Sequence, residues 1–180
     1  MIENNNSGSS VNILDAIFER RSVHAYLPQK IEKTTIEELL HAAIQAPTAR
    51  HEEAYSFIVI QNKDMLKRIS DSAKVITNTE VENIFYNAGT LIAICAKFSG
   101  KFVEADCWLA TENLLLAAYG KGLGTCVIGL ALDALNSSEW KKELNIPDHT
   151  KVVAPIIIGI PAGETPHTTR NPPEIITWVE

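Results

Sequence analysis

The sequence has little cysteine, little basic charge and no long apolar run. Its three cysteines, Cys95, Cys107 and Cys126, stand far apart, with no Cys-x-x-Cys or Cys/His pair at ligand spacing, which argues against a zinc site. So sparse and odd a count fits a reducing compartment, and the apolar settings IAICAK, ADCWLA and GTCVIG predict buried structural thiols. Sixteen Lys and Arg against 22 Asp and Glu leave a formal net charge of −6. That is the wrong sign for nucleic acid or an anionic membrane, both of which reward a basic footprint. No segment has the apolar length of a membrane span, and the opening MIENNNSGSSVN lacks the basic and apolar regions of a signal peptide. These absences predict a cytoplasmic protein with a small-molecule ligand, neither nucleic acid nor membrane. No GxGxxG follows a strand-like run, which argues against a Rossmann unit. His41 and His149 fall in helical and loop settings that predict exposure, so no nucleophile–base pair emerges.

What is present suits one domain: 180 residues, 46% hydrophobic, with no repeat or internal linker. The Asn/Ser-rich residues 1–11 read as a disordered extension and 12–180 as the domain. Asn12 is a plausible N-cap for a short amphipathic helix bearing Ile13, Leu14, Ile17 and Phe18 and ending at Arg20-Arg21. Thr34 with Glu37, or Thr35 with Glu38, offers a capping box for a second helix that runs to Pro47. Strands are predicted at Tyr55–Ile60, Thr90–Ala96, Gly124–Ile128 and Val152–Ile160, and helices at Met65–Ser72 and Ala131–Leu144. Lys74–Asn87 is ambiguous. The pattern from about Glu104 to Lys121 shows almost no polar face, predicting a long, largely buried helix closed by Gly122.

Three stretches carry candidate chemistry. Arg20-Arg21-Ser22-Val23-His24 puts two guanidiniums and a hydroxyl in a row, suited to a terminal phosphate, although a basic helix end that favours the dipole gives the same pattern. Ala46-Pro47-Thr48-Ala49-Arg50-His51-Glu52-Glu53-Ala54-Tyr55-Ser56-Phe57 reads on its own as a loop with a strand behind it. Gly122-Leu-Gly-Thr-Cys-Val-Ile-Gly129 permits close backbone approach to a planar ring, or simply caps a helix.

In this order the three stretches resemble the FMN-dependent nitroreductase family. The resemblance implies an α+β fold: a small mixed, mostly antiparallel sheet flanked by helices, a long buried central helix, and a C-terminal strand (Ile175–Val179) exchanged in a homodimer. It implies FMN at the subunit interface, with Arg20, Arg21 and Ser22 on the phosphate and ribityl chain and His24 at the pyrimidine edge, where family members usually carry Arg or Lys. Pro47, Thr48, Ala49 and His51 would reach the partner's flavin, with His51, Glu53 and Ala54 standing where the family has Asn, Gln and Pro. Val127, Ile128 and Gly129 would lie along the ring, Asn83 (rather than Asn78 or Asn87) at a polar edge, and Arg170 on the phosphate. No protein side chain is implied as catalytic, because N5 of the flavin carries the chemistry. The activity implied is ping-pong hydride transfer from NAD(P)H to a nitroaromatic or quinone. A flavin-dependent dehalogenase or oxygen-using enzyme, or a non-catalytic dimeric flavin-binding protein, is the alternative.

Overall fold

The computed structural model describes residues 11–180; residues 1–10, most of the expected extension, lie outside them. Four strands, β1 (Tyr55–Ile60), β2 (Thr90–Ala96), β3 (Gly124–Val127) and β4 (Lys151–Gly159), form one sheet in the order β1-β2-β4-β3. The central pair, TLIAICA and KVVAPIIIG, is apolar on both faces, so both faces need cover. Among the described residues the helices α2 (Lys33–Ala43), α3 (Lys63–Thr77), α4 (Val103–Gly120), α5 (Leu132–Asn136) and α6 (Ser138–Glu143) supply it, and α1 (Ile13–Glu19) packs on α4.

Strand alternation divides the core in two. Ile92, Ile94, Ile156 and Ile158 face Leu39 and Ala43 of α2 and Ala110 and Leu114 of α4. On the other face Leu91, Ala93, Cys95 and Ile157 pack with Ile69 of α3, Leu135 of α5 and Trp140 of α6. The two clusters are what a period of two in a doubly covered sheet produces.

Several expectations need correction. All four strands pair antiparallel, and the only parallel pairing among the described residues is an isolated bridge between Ser22 and Thr125, so the sheet is not mixed. Neither capping box forms: α2 starts at Lys33 behind Glu32, which leaves Thr34 and Thr35 inside its first turn. α3 runs five residues past Ser72 to Thr77 and stops at Asn78 in the left-handed region, which resolves the first part of the ambiguous segment. The predicted helix at Ala131–Leu144 is broken, because Ser137 is extended (φ −66°, ψ 152°) and its hydroxyl caps α6 by accepting from the Trp140 amide. The Ser-Ser pair at 137–138 favours a cap over continuation. α4 is buried on one side only, with Trp108 and Leu109 each 46% exposed. Ile175–Val179 forms no strand within one chain.

At the α5–α6 break, Asn136 ties the helices to the sheet. Its amide donates to the carbonyls of Leu132 and Val152, both at 3.0 Å, and its carbonyl accepts from the Val152 N–H at 2.9 Å. Val152 is fully buried, so removing that partner strands two backbone groups away from water. Asn136→Ala should therefore lower unfolding free energy in urea by about 2–3 kcal/mol; a loss below about 0.5 kcal/mol would show that water replaces the side chain.

Candidate functional site

The Asn12 side chain caps α1 by accepting from the Leu14 amide, and the helix stops at Arg20, where the backbone turns extended. Arg21 Nη1 donates to the carbonyls of Phe18 (2.6 Å) and Arg20 (2.8 Å) at the end of that helix. Such bonds suit a cation at a helix C-terminus. The extended ribbon that follows lies on β3: Ser22 bridges Thr125, and the Val23 amide donates to the Thr125 carbonyl at 2.9 Å. Gly124 makes this approach possible, since a Cβ there would stand 2.8 Å from Val23 Cγ2 and 3.0 Å from Val23 Cβ. The first and third stretches of the sequence thus become one surface.

Along it, His24 Nε2 is 3.6 Å from the Cys126 sulfur, and its ring meets Tyr86 edge-on with centroids 4.7 Å apart. Tyr86 and Asn87 hold left-handed backbone (φ 49° and 63°). That conformation costs a non-glycine residue on the order of 1–3 kcal/mol and gathers where function fixes the chain. Burial raises the Cys126 thiol pKa, opposed by a hydrogen bond with Ser22 and the charge of Arg20.

A cavity of about 460 Å³ opens beside the ribbon, walled by Arg20, Arg21, Gly124, Thr125, Gly163 and Thr165. Nε of Arg20 and Nε of Arg21 are buried there without a hydrogen-bond partner. Buried donors without acceptors are costly, and an anion would satisfy them.

The second stretch lies elsewhere. Both Asp106 carboxylate oxygens accept from the Ala49 amide at 3.2 Å, pinning the loop to the start of α4, and Lys97 Nζ donates to the Glu53 carbonyl at 3.0 Å, tying it to the end of β2. Arg50, His51 and Glu53 all hold positive φ (57°, 58° and 44°). The 460 Å³ cavity instead meets α4 at Tyr119 and Gly120, its far end. At about 1.5 Å per residue these two contacts stand roughly 20 Å apart along α4. Within one chain, Pro47, Thr48, Ala49 and His51 therefore do not join Arg20, Arg21 and Ser22.

Of the remaining candidates, Val127 ends β3, Ile128 is buried with its amide on the Pro155 carbonyl (2.8 Å), and Gly129 begins a turn with open space beside its Cα. Asn83 spends its side chain locally, accepting from the Phe85 amide (2.9 Å) and donating to Asn87 Oδ1 (3.1 Å). Arg170 is exposed in the tail, with no hydrogen bond or ion pair among the described residues. The sequence reading missed Asp106 and His167. Asp106 sat unnoticed among apolar neighbours; His167 sits in a Pro-rich tail without periodicity, yet its ring nitrogens lie 3.1 and 3.2 Å from Arg21 Nη2.

The Nitroreductase family model matches residues 17–160, and the chain belongs to that family. It is 31% identical over 156 residues to an Archaeoglobus fulgidus protein provisionally named NADH dehydrogenase/NAD(P)H nitroreductase, covering 84% of this chain and 86% of that protein. It is 24% identical to the FMN reductase (NADPH) of Bacillus subtilis, over 92% of this chain and 72% of that one. Among solved structures, a Bacteroides fragilis nitroreductase with bound FMN superposes with a TM-score of 0.81 at 25% identity, covering 94% of this chain and all of that one (100%). The expected α+β nitroreductase fold, a mostly antiparallel sheet flanked by helices, is thereby borne out.

None of the cysteines is an exposed nucleophile. Burial pushes the thiols of Cys95 and Cys107 up to about 12, with Cys107 (for Cys95) and Asp106 (for Cys107) adding to the effect. Since the thiolate is the reactive form, native protein at about pH 8 should react with a disulfide reagent at far below one thiol per chain within minutes, and with all three once denatured. Rapid native labelling of Cys126 would mean that the ribbon on β3 opens readily.

Proposed function

We propose that this chain is an FMN-dependent NAD(P)H oxidoreductase that reduces a small electron-poor acceptor, a nitroaromatic or quinone, with its flavin held between two copies of the chain. The observation that carries this reading is the pair of buried, acceptor-less guanidinium nitrogens of Arg20 and Arg21 on a cavity large enough for a phosphate and its chain.

The residues present fit FMN. Arg20 is the principal phosphate ligand: Arg21 already donates to two carbonyls and His167, whereas Arg20 makes no side-chain hydrogen bond among the described residues. Ser22 sits next along the ribbon for a ribityl hydroxyl, and Arg170, exposed in the tail, is the candidate to close over the phosphate. His24, braced by Cys126 and Tyr86, would stand at the pyrimidine edge. A lysine or arginine there carries a fixed charge that favours the reduced, anionic ring, and the imidazole of His24 offers a hydrogen-bonding ring in its place. Losing about 1.4 kcal/mol of that preference shifts a two-electron potential by about 30 mV, which tunes the cofactor without disabling it. When bound, FMN supplies the redox chemistry, taking hydride from NAD(P)H at N5 and passing the electrons on.

The second half of the site comes from the partner. The apolar side chains of α1, with Ile13 and Phe18 exposed by 62% and 66%, the exposed Trp108 and Leu109, and the tail's Ile175, Ile176, Trp178 and Val179 form more apolar surface than a monomer usually leaves in water. A two-fold dimer that buried α4 against its symmetry mate would bring the Thr48–His51 loop of one chain to the Arg20 end of the other. The tail would then pair with the partner's sheet.

Purified protein should carry flavin absorbance at about one FMN per chain and bleach under anaerobic NADH or NADPH. Arg20→Ala should weaken FMN at least about tenfold while leaving riboflavin, which lacks the phosphate, little changed. A colourless protein whose melting temperature ignores FMN would sink the reading, because a ligand of the native state must raise stability.

A further inference from the structure

We infer that Asp106 is a positioning residue through which one chain serves the flavin of the other: its carboxylate holds the Thr48–His51 loop in the shape that completes the partner's site. The inference deepens the proposed function and rests on the sharing of each flavin site between two chains.

Asp106 is unlike an ordinary acid at a helix start. Glu104, two residues earlier in the first turn of α4, is exposed and pairs with Lys151 at 2.8 Å. Asp106 is only 4% exposed. Burying a carboxylate is costly unless donors answer it. Among the described residues the donor to its side chain is one backbone amide, that of Ala49, which both oxygens share at 3.2 Å. A bond to a charged acceptor is the stronger kind, so this acid is spent on placing a loop residue 57 positions away in the sequence.

That residue opens a segment that would not keep its shape unaided. Arg50, His51 and Glu53 hold φ of 57°, 58° and 44°, left-handed values that side chains resist. Packing does not impose them, because a cavity of about 280 Å³ opens between the loop and the start of α4, walled by Ala49, Arg50, Glu52, Phe98 and Phe102. The turn's own backbone bonds are long: the His51 amide lies 3.4 Å from the Thr48 carbonyl and the Glu52 amide 3.2 Å from that of Ala49. Tethers at the two ends hold it instead. Lys97 holds the far end, its Nζ donating to the Glu53 carbonyl (3.0 Å) and its amide to the Ala54 carbonyl (2.9 Å). Asp106 holds the near end, which carries Thr48. Cutting that tether frees Thr48–His51 into the cavity and leaves the Arg20 ribbon of the same chain in place, roughly 20 Å away along α4. The defect is therefore felt at the partner's flavin.

The test follows FMN binding to flavin-free dimers by fluorescence quenching, and then mixes variants, lets subunits exchange and assays bound FMN. Asp106→Ala should bind FMN about tenfold or more weakly. Asp106→Asn retains a carbonyl acceptor and should restore most of that loss. Mixed with Arg20→Ala, Asp106→Ala should recover about a quarter of wild-type loading; mixed with Thr48→Asp it should recover none, since both defects then lie on the loop side of every site. Should Asp106→Ala not assemble, Ala49→Pro takes its place in each mixture, because it removes the N–H of the same bond at a helix-start position that proline tolerates. Wild-type affinity in Asp106→Ala would overturn the inference. So would an Asp106→Asn as weak as Asp106→Ala, which would assign the residue to the helix dipole, or no recovery with Arg20→Ala while Arg20→Ala and Thr48→Asp complement each other. Failure of that last pair to complement would instead remove the shared-site reading on which the inference rests.

Discussion

The close approach of the Arg20–Val23 ribbon to β3 is the contact on which the rest of the site depends. It is a backbone contact, the Val23 amide on the Thr125 carbonyl, and it exists because Gly124 has no side chain to hold the ribbon away. Once the ribbon is down, Arg20 and Arg21 leave the end of α1 with Nε atoms buried and unanswered, His24 falls beside Cys126, and the cavity acquires its basic wall. None of these side chains would converge if the chain left α1 in another direction. The energetic deficit of two unsatisfied buried donors is a measure of what an anion restores on binding.

α4 sets the second constraint. It separates the ribbon from the strained loop at Arg50, His51 and Glu53 by most of its length, so within one chain the two stretches do not meet. The same helix leaves Trp108 and Leu109 in solvent, and α1 and the tail leave further apolar side chains exposed. In the proposed reading a second copy answers both the separation of the two stretches and the exposed apolar surface.

Most of the fold was legible, because β2 and β4 are unbroken apolar runs of strand length and α4 lacks a polar face, signals that tertiary context reinforces. The errors fell where one local preference met another. Ser137 could continue a helix or cap one, and Asn136, spanning to Val152, decided for the cap. Thr34 and Thr35 carried the capping pattern, yet α2 began earlier. In the site, Arg20, Ser22 and the glycines were legible as motifs, and the structure lays the ribbon that carries the first two on the Gly124–Thr125 segment. Asp106 and His167 were not legible, since a lone acid in an apolar helix and a histidine in an aperiodic tail acquire meaning only from partners 57 and 146 residues away. The predicted apolar face of α1 was present but points outward in the single chain, a direction that periodicity does not carry.

The central claim is that each flavin site takes the Arg20 ribbon from one chain and the Thr48–His51 loop from the other. It is tested most directly by complementation. Arg20→Ala and Thr48→Asp homodimers, each expected to lose FMN, would be mixed in equal amounts, allowed to exchange subunits and assayed for bound FMN. If sites are shared between chains, a mixed dimer carries one intact site and one doubly defective site, and a statistical mixture recovers about a quarter of wild-type loading. If each chain builds its own site, every site in the mixture keeps one defect, loading stays at the level of the separate variants, and the shared-site account is wrong.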